Sequence, residues 1–289
     1  MKCVSYNIQY GIGLDSRYDI ARIADAVRGA DVIALQEVTR NNPKNGGRDM
    51  VAELRDALPD YFAVFGPNFE ADFGSSLKDG RAVDVHFQFG NMVLSKTPIK
   101  LSRNLLLPRR RSFDKLDLQR GALEALIETE YGPVRFYSVH LDHRDPDERL
   151  EQVRFLRERV LNYPLEGGAL TGLSELGLPE PPLPESYLMM GDFNMLAGTD
   201  EYLALAGRID PSMGMPLSSA RAVDCAAHIG GGAEPATTWV EPEDPQDTTL
   251  HKRIDYAFAS PDLALRLKAS RVDQAAVGSD HQPLWVEFG

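Results

Sequence analysis

The stretch from Tyr187 to Leu196 constrains the fold most, because a short apolar run leads directly into a glycine and two polar residues. Apolar and aromatic residues followed by Gly191 predict a buried strand that ends in a turn. Asp192 and Asn194 follow two positions apart, so an extended backbone would point both side chains the same way, with Phe193 facing the core. A carboxylate and an amide there could activate a water and hold an oxyanion. An Asx turn is the alternative, since Gly, Asp and Asn are common turn formers.

The rest of the chain alternates between short apolar runs and amphipathic segments. The apolar runs predict strands over residues 2–8, 31–37, 61–65, 91–95 (continued by 98–107), 121–130, 134–140, 237–240, 253–259, 271–277 and 283–288. Apolar spacings of three and four, with capping residues, predict helices over 19–30, 48–58 and 145–162 and a helix capped by Thr199. Residues 66–90, 164–186 and 207–236 lack a clear period and predict loops or surface excursions.

This pattern favours an α/β (α+β) fold with a mixed, mostly antiparallel arrangement of strands. Roughly ten or more strands are too many for one comfortable open sheet. Two sheets packed face to face, with helices outside them, would bury the apolar faces. Since no linker or repeat divides the sequence, residues 1–289 are expected to form a single domain.

The composition narrows the class of protein. No apolar run approaches the roughly 20 residues that span a bilayer, and the N-terminal residues lack the pattern of a signal peptide. Two cysteines, Cys3 and Cys225, provide no disulfide framework, so we expect a cytoplasmic protein. The net charge of −12 argues mildly against tight non-specific binding of nucleic acid, although a local basic groove on an acidic protein would permit it.

Polar residues recur where the predicted strands begin or end. Such residues lie at the C-terminal ends of four runs or just before two others: Asn7, Glu37, His140, Asp192, Asn194, Asp255 and the pair Asp280-His281. In a mixed sheet, the ends of strands that run one way neighbour the starts of those that run the other way. All these groups can therefore share one edge of the fold. If these residues only formed turns, Ser, Gly and Pro should also appear at such boundaries. The restriction to Asn, Glu, His and Asp therefore favours a shared site.

The predicted group of residues suits a hard cation. It contains no cysteine and no paired histidines of the spacing that zinc sites use. Carboxylate and amide oxygens are the usual ligands of Mg²⁺ or Mn²⁺, and Glu37 with Asn7 is the best candidate pair. A surface salt bridge is the alternative role for Glu37.

The two histidines also have alternatives. His281 could stabilise charge if a carboxylate orients its ring, and Asp255 is the candidate partner. A histidine in a capped turn is the alternative for His281, and a satisfied core histidine is the alternative for His140.

Eight segments, in this order, resemble a known family: SYNIQYG, ALQEV, FGNMVLSKTPI, QRGALEALI, YSVHLDH, MMGDFNML, RIDYAF and GSDHQPLWVEF. With them the chain resembles the endonuclease/exonuclease/phosphatase superfamily, which includes deoxyribonuclease I, exonuclease III-type abasic endonucleases, neutral sphingomyelinases and inositol polyphosphate 5-phosphatases. The resemblance implies a four-layer sandwich and metal-dependent hydrolysis of phosphoesters.

The resemblance also implies roles for individual residues. Glu37 would bind the metal, with Asn7 and Asp280 close to it. Asp192 would activate or position the attacking water, while Asn194 would hold water or a phosphate oxygen. His140 and His281 would contact the phosphate, Asp255 would orient His281, and Arg120 would lie near the phosphate or form a structural ion pair.

The expected function is therefore a Mg²⁺- or Mn²⁺-dependent phosphodiesterase that acts on a small-molecule or lipid-headgroup phosphoester. A DNA or RNA nuclease is the main alternative, and a non-catalytic binding module is a more distant one. The resemblance weakens over 66–90, 103–119, 164–186 and 207–236, and in this superfamily such loops determine the substrate. The oligomeric state stays open.

Overall fold

A computed structural model describes residues 1–208, 212, 216–231 and 235–289. The α-helices of this part are α1 (Ile20–Val27), α2 (Met50–Ala57), α3 (Pro146–Leu161), α4 (Tyr163–Glu166), α5 (Asp200–Ala206), α6 (Cys225–Ile229) and α7 (Pro261–Ala264). The strands before residue 130 are β1 (Lys2–Asn7), β2 (Val32–Arg40), β3 (Phe62–Asp72), β4 (Ser76–Lys78), β5 (Arg81–Val83), β6 (His86–Ser95), β7 (Ile99–Leu106) and β8 (Gly121–Thr129). The later strands are β9 (Gly132–His140), β10 (Tyr187–Asp192), β11 (Val223–Asp224), β12 (Asp255–Ala259), β13 (Leu267–Val272) and β14 (Leu284–Phe288).

The described strands form two six-stranded sheets and one small hairpin. The first sheet has the order β13-β14-β1-β2-β6-β3, the second has the order β11-β12-β10-β9-β8-β7, and β4 pairs with β5. The pairs β1–β2 and β9–β10 are parallel, while the other pairs described are antiparallel. The prediction of mixed, mostly antiparallel sheets is confirmed.

The alternation of side chains along the strands produces a layered core. Cys3 and its neighbours on the inner face of the first sheet pack against inner residues of the second sheet such as Phe136. Val4, one position later, faces outward and packs against α1 and α2. On the outer face of the second sheet, Val139 belongs to a cluster that also contains residues of α3 and α5. The order helix, sheet, sheet, helix is the predicted four-layer sandwich.

The helix boundaries follow the capping residues in one case and depart from them in another. Asp145 accepts hydrogen bonds from the backbone N–H groups of Asp147 and Glu148, and Pro146 occupies the first turn of α3, as predicted. Thr199 also precedes a helix, but its hydroxyl donates to the Leu196 carbonyl instead of capping α5.

The prediction of a loop over residues 66–90 is wrong. This segment extends β3, forms the β4–β5 hairpin and begins β6, and we call it the arm. It is only partly buried, with exposed and half-buried residues interspersed, so its sequence lacks the continuous apolar run that identifies a core strand.

Three smaller predictions also differ from the structure. Residues 98–107 do not continue the preceding strand: β7 belongs to the second sheet, and Pro98, which has no N–H for a ladder, lies where the chain crosses over. Residues 237–240 form isolated bridges at Trp239 instead of a strand. The strand predicted over 271–277 lies earlier, as β13. Part of the predicted loop 207–236 lies outside the described residues.

The mostly exposed segment 164–186 agrees with the predicted surface excursion. Among the described residues, no helix combines the length and apolar character needed to cross a membrane.

Candidate functional site

The register of the second sheet places three predicted residues side by side. Asp192 ends β10 and pairs with His140, the last residue of parallel β9, and with Asp255, the first residue of antiparallel β12. The carboxylate oxygen Oδ2 of Asp192 accepts a hydrogen bond from Asn7 Nδ2 at 3.0 Å. The same oxygen lies 3.4 Å from His140 Nε2 and 3.7 Å from His281 Nε2. Asp192 is therefore the centre of a group assembled from both sheets.

The residue before Asp192 must be glycine for this register to form. A Cβ atom on Gly191 would collide with the carbonyl oxygen of Val139 on the neighbouring strand. The absence of a side chain lets β9 and β10 approach closely where they end.

The sequence allowed Asn194 either to form an Asx turn or to direct its amide into a functional site, and the structure shows both features. Its φ is +49°, so the backbone is left-handed and not extended as expected. Its N–H donates to Asp192 Oδ1 at 2.9 Å, which is an Asx turn. Its amide nitrogen donates to the Leu141 carbonyl at 3.1 Å, and the side chain still lines the cleft described below. The turn thus positions the amide, while Phe193 is fully buried as predicted.

Glu37 does not end its strand, because β2 continues to Arg40. The β2–β6 register shifts between Leu35 and Val38, and Glu37 at this bulge has φ +61°. A bulge re-aims a side chain, and a left-handed non-glycine residue stores strain of about 1–3 kcal/mol. Glu37 Oε1 lies 3.4 Å from the donor Asn7 Nδ2. Oε2 is buried and has no hydrogen-bond partner among the described residues.

The electrostatics of Glu37 suit a cation. Burial, and next the Asp280 carboxylate, raise the pKa of Glu37 to about 7. The Asp280 carboxylate accepts hydrogen bonds from Trp239 Nε1 at 3.2 Å and from the Ser279 hydroxyl at 3.2 Å. A buried, unpartnered carboxylate oxygen with a second carboxylate and an amide nearby fits a hard divalent cation.

His281 is held between two carboxylates. Its Nδ1 donates to Asp255 Oδ2 at 2.8 Å, and its Nε2 faces Asp192. Burial lowers the pKa of His281, but the Asp255, Asp192 and Asp280 carboxylates outweigh it and raise the pKa to about 10. The ring is therefore an imidazolium at neutral pH.

His140 has the opposite charge state. Burial, and then the positive charges of Arg120 and His281, hold its pKa well below the usual value. Buried Arg120 donates from Nη1 to His140 Nε2 at 2.7 Å and from Nη2 to His143 Nδ1 at 2.6 Å. We call the group formed by Asn7, Glu37, His140, Asp192, Asp255, Asp280 and His281 the centre. It contains one neutral imidazole, His140, and one cationic imidazole, His281, on either side of Asp192.

Two groups of three residues in the described part have ligand atoms close enough for a metal. In the first, atoms of Asp192, Asp255 and His281 lie within 4.8 Å of one another, but a protonated His281 has no lone pair for a metal. The cation site therefore fits better on the Glu37 side. The second group is Asp117, Asp142 and Glu148. Backbone N–H groups already bind carboxylate oxygens of the last two.

The centre opens into a cleft of ≈ 800 Å³. Several residues that the sequence reasoning missed line it: Tyr10, Lys44, Phe73, Phe87, Leu116, Leu118, His143, Arg144, Trp239 and Lys252. Phe73 and Phe87 lie in segment 66–90, for which the sequence predicts a loop, and Leu116 and Leu118 lie in 103–119, where the family resemblance weakens. The repeated phenylalanines of 66–90 were a usable signal, since a two-residue spacing puts side chains on one face of a strand.

Comparisons with known proteins agree with this architecture. The sequence matches the model of the endonuclease/exonuclease/phosphatase family over residues 4–281. A comparison with curated proteins found no match.

Solved structures share the fold. An endonuclease/exonuclease/phosphatase from Bacteroides vulgatus is 16% identical with a TM-score of 0.65, covering 100% of this chain and 98% of that one. TDP2 of D. rerio, complexed with a single-strand DNA product, is 16% identical with a TM-score of 0.61, covering 100% and 98%. The 3′ phosphatase NExo from Neisseria, bound to a product DNA hairpin, is 16% identical with a TM-score of 0.58, covering 100% and 99%.

Proposed function

The chain belongs to the endonuclease/exonuclease/phosphatase family, and on that premise we propose that it is a divalent-cation-dependent phosphoester hydrolase. The observation that carries the proposal is the position of the Asp192 carboxylate, within 3.7 Å of both a neutral and a cationic imidazole. We propose further that residues 1–289 act as one catalytic domain in the cytoplasm.

Glu37, Asn7 and Asp280 would hold Mg²⁺ or Mn²⁺. The unpartnered oxygen of Glu37 supports this assignment, because a buried carboxylate oxygen without a partner is costly unless a ligand satisfies it. When bound, such an ion neutralises charge on phosphate oxygens and orients the ester.

Asp192 would position the attacking water and accept its proton. Asn7 holds one carboxylate oxygen of Asp192 and the Asn194 N–H holds the other, so the group is fixed before substrate binds. The water would attack phosphorus in line with the leaving oxygen.

The surrounding donors would stabilise the charge that develops on the phosphate. His281, kept protonated and oriented by Asp255, would supply a positive charge, and Arg120 would supply another through its position beside His140. His140 and the Asn194 amide would complete the set of polar contacts.

Small-molecule or lipid-headgroup diesters are the substrate class that the charge favours. A net charge of −12 repels a long polyanion outside the cleft. The nuclease alternative requires that the local cations of the cleft overcome that repulsion, and activity on DNA would then depend steeply on salt.

The test is hydrolysis of bis-p-nitrophenyl phosphate and plasmid DNA by the full chain, with Mg²⁺ or Mn²⁺ and with excess EDTA. We expect cation-dependent release of p-nitrophenol and a fall in kcat of about 10²–10⁴-fold in Asp192→Asn, with an unchanged circular dichroism spectrum. Cation-independent turnover, or full activity in Asp192→Asn, would overturn the mechanism. Absence of hydrolysis on every diester would support the binding-module alternative.

A further inference from the structure

We propose that the cleft contains an apolar subsite, formed by Phe73, Phe87, Leu116 and Leu118, that binds a bulky apolar group carried by the phosphoester. The inference rests on the proposed function, because it assigns the part of the substrate beyond the phosphate. It names the class of substrate as an amphiphilic phosphoester.

A continuous row of aromatic rings connects solvent with the catalytic centre. The ring centroids of Phe73 and Phe87 are 5.4 Å apart, and Phe87 lies 5.2 Å from Phe69. Phe69 stacks on Phe89 at 5.9 Å, and Phe89 lies 5.9 Å from the His140 ring. An apolar group seated on the outer rings would therefore be attached to a phosphate held at the inner end.

One face of the arm is aromatic and the other is polar, and the aromatic row lies on the face that borders the cleft. Phe87 and Phe89 lie two residues apart, so they share one face of β6. On the neighbouring strand, Phe69 pairs with Phe89. The alternating positions His86 and Gln88 both hydrogen-bond Glu70, which forms a polar network on the other face. The arm is thus a two-faced ribbon whose aromatic side borders the cleft.

The apolar side chains at the mouth of the cleft are left exposed. Phe73 is 51% exposed on the arm, and Leu116 is 71% exposed on the loop between β7 and β8. Two separate segments present large apolar residues to one cleft next to the proposed centre. An exposed apolar surface that is continuous with a polar pocket is typical of a ligand site.

The charges of the cleft indicate that the apolar group belongs to an anion. Lys44, Arg144 and Lys252 line the cleft, and none of them forms a salt bridge with a carboxylate of the described residues. Lys44 and Lys252 lie over the rings of Tyr10 and Trp239, and Arg144 donates to His143, so their charges are not neutralised by a described carboxylate. Such cations are notable on a chain with a net charge of −12. Positive side chains and apolar walls together complement a compact phosphoester with an apolar substituent.

The experiment measures binding, so that it does not depend on turnover. Methyl, phenyl and hexyl phosphate are titrated into the full chain with Mg²⁺ by calorimetry, for the wild type, the double variant Phe73→Ser/Leu116→Ser and the control Phe62→Ser. Phe62 is the matched control because it is also 51% exposed but does not line the cleft.

We expect phenyl or hexyl phosphate to bind the wild type about tenfold more tightly than methyl phosphate, since burial of one such group is worth at least that factor. The double variant should lose most of this preference, whereas Phe62→Ser should keep it. Tighter binding of phenyl phosphate would indicate an aromatic substituent, and tighter binding of hexyl phosphate an aliphatic one.

Similar affinities of all three ligands for the wild type, no measurable binding of any, or an equal loss in Phe62→Ser would overturn the subsite. Selective binding without hydrolysis of any diester would leave the subsite standing while the proposed function fails. Hydrolysis of a diester without selective binding of phenyl or hexyl phosphate would support the proposed function and overturn the subsite.

Discussion

The proposed catalytic centre and the proposed apolar subsite line the same cleft, but the fold holds them in opposite ways. The centre is built from the ends of strands that pair inside both sheets, and its side chains are nearly all buried and hydrogen-bonded to one another. The subsite lies on an arm and a loop, where Phe73 and Leu116 contact solvent. A rigid centre suits chemistry that needs fixed distances, whereas exposed residues can be exchanged at little cost in stability.

This contrast predicts two kinds of variant. Changes in the centre should lower kcat and alter the stability of the fold. Changes in the subsite should alter the affinity for the substrate and leave kcat and stability nearly constant.

The largest expected effect comes from Glu37→Gln. The variant keeps the shape of the side chain but removes the proposed cation ligand, so kcat should fall by about 10³-fold or more, as expected when several kcal/mol of charge stabilisation are lost. The change is measured with bis-p-nitrophenyl phosphate across a range of Mg²⁺ concentrations. If Glu37→Gln had the kcat of the wild type at the same Mg²⁺ concentration, Glu37 would not be a ligand of the cation.

The same variant should be more stable than the wild type in EDTA at pH 8. The pKa of Glu37 is about 7 in the folded chain and 4.5 in the unfolded chain, so its ionisation destabilises the fold. This penalty grows between pH 4.5 and 7 and is constant above. The difference in Tm between variant and wild type should therefore be positive at pH 8 and shrink toward pH 4.5. A difference that does not change with pH would contradict the burial of this charge.

The next effect is that of His281→Gln, which removes the cationic imidazole. We expect kcat to fall by about 10²–10³-fold, the range found when one donor to a developing negative charge is lost. Steady-state kinetics at pH 7 with folding monitored by circular dichroism provide the measurement. An effect confined to KM would assign His281 to substrate binding alone.

A smaller effect is expected for Asp255→Asn, because Asp255 acts through His281. Carboxylates that orient a functional histidine typically contribute about 10–100-fold. Since Asp255 raises the pKa of His281, the alkaline limb of the pH–rate profile should also move to lower pH. An unshifted profile would show that Asp255 supports the fold and not the charge of His281.

Phe89→Leu tests the boundary between the two regions, because Phe89 is buried and contacts both the aromatic row and His140. Removal of the ring should cost about 1–3 kcal/mol of stability, less than a full truncation. Moderate changes are expected in both kcat and KM. If Phe89→Leu changes KM and leaves kcat constant, the contact between the aromatic row and His140 does not affect the chemistry of the centre.

The smallest effect is expected for Lys252→Met, which removes one exposed cation of the cleft. KM should rise about two- to threefold at low salt, and the difference should vanish at about 1 M salt because screening shortens the range of the charge. Lys100→Met is the control, since Lys100 pairs with Glu128 and does not line the cleft. An equal rise in KM in both variants would show that the effect comes from the net charge of the chain and not from the position of Lys252 in the cleft.

The proximity of three residues of the proposed centre could be predicted from the sequence because each ends an apolar run. Asn7, His140 and Asp192 each follow a run of buried residues, and the sheet register then brings these strand ends together. The number of strands predicted two packed sheets with helices outside them, and the family resemblance implied the four-layer sandwich. That resemblance is confirmed by the match over residues 4–281.

The remaining features depend on tertiary contacts that leave no periodic signal. The bulge at Glu37 gives the side chain its direction, yet the surrounding residues match an ordinary strand. The arm contains β4 and β5, which are three residues long and mostly exposed, so its sequence predicts a loop. Trp239 reaches the centre through isolated bridges to Lys252 and His281, which a propensity for strand could not specify.

The contact between Asn7 and Asp192 and the contact between Asp192 and His281 join distant parts of the polypeptide. During synthesis, the ribosome must therefore release the chain through residue 281 before all of these groups can meet. A nascent or truncated product that ends before residue 281 would therefore lack part of the proposed centre.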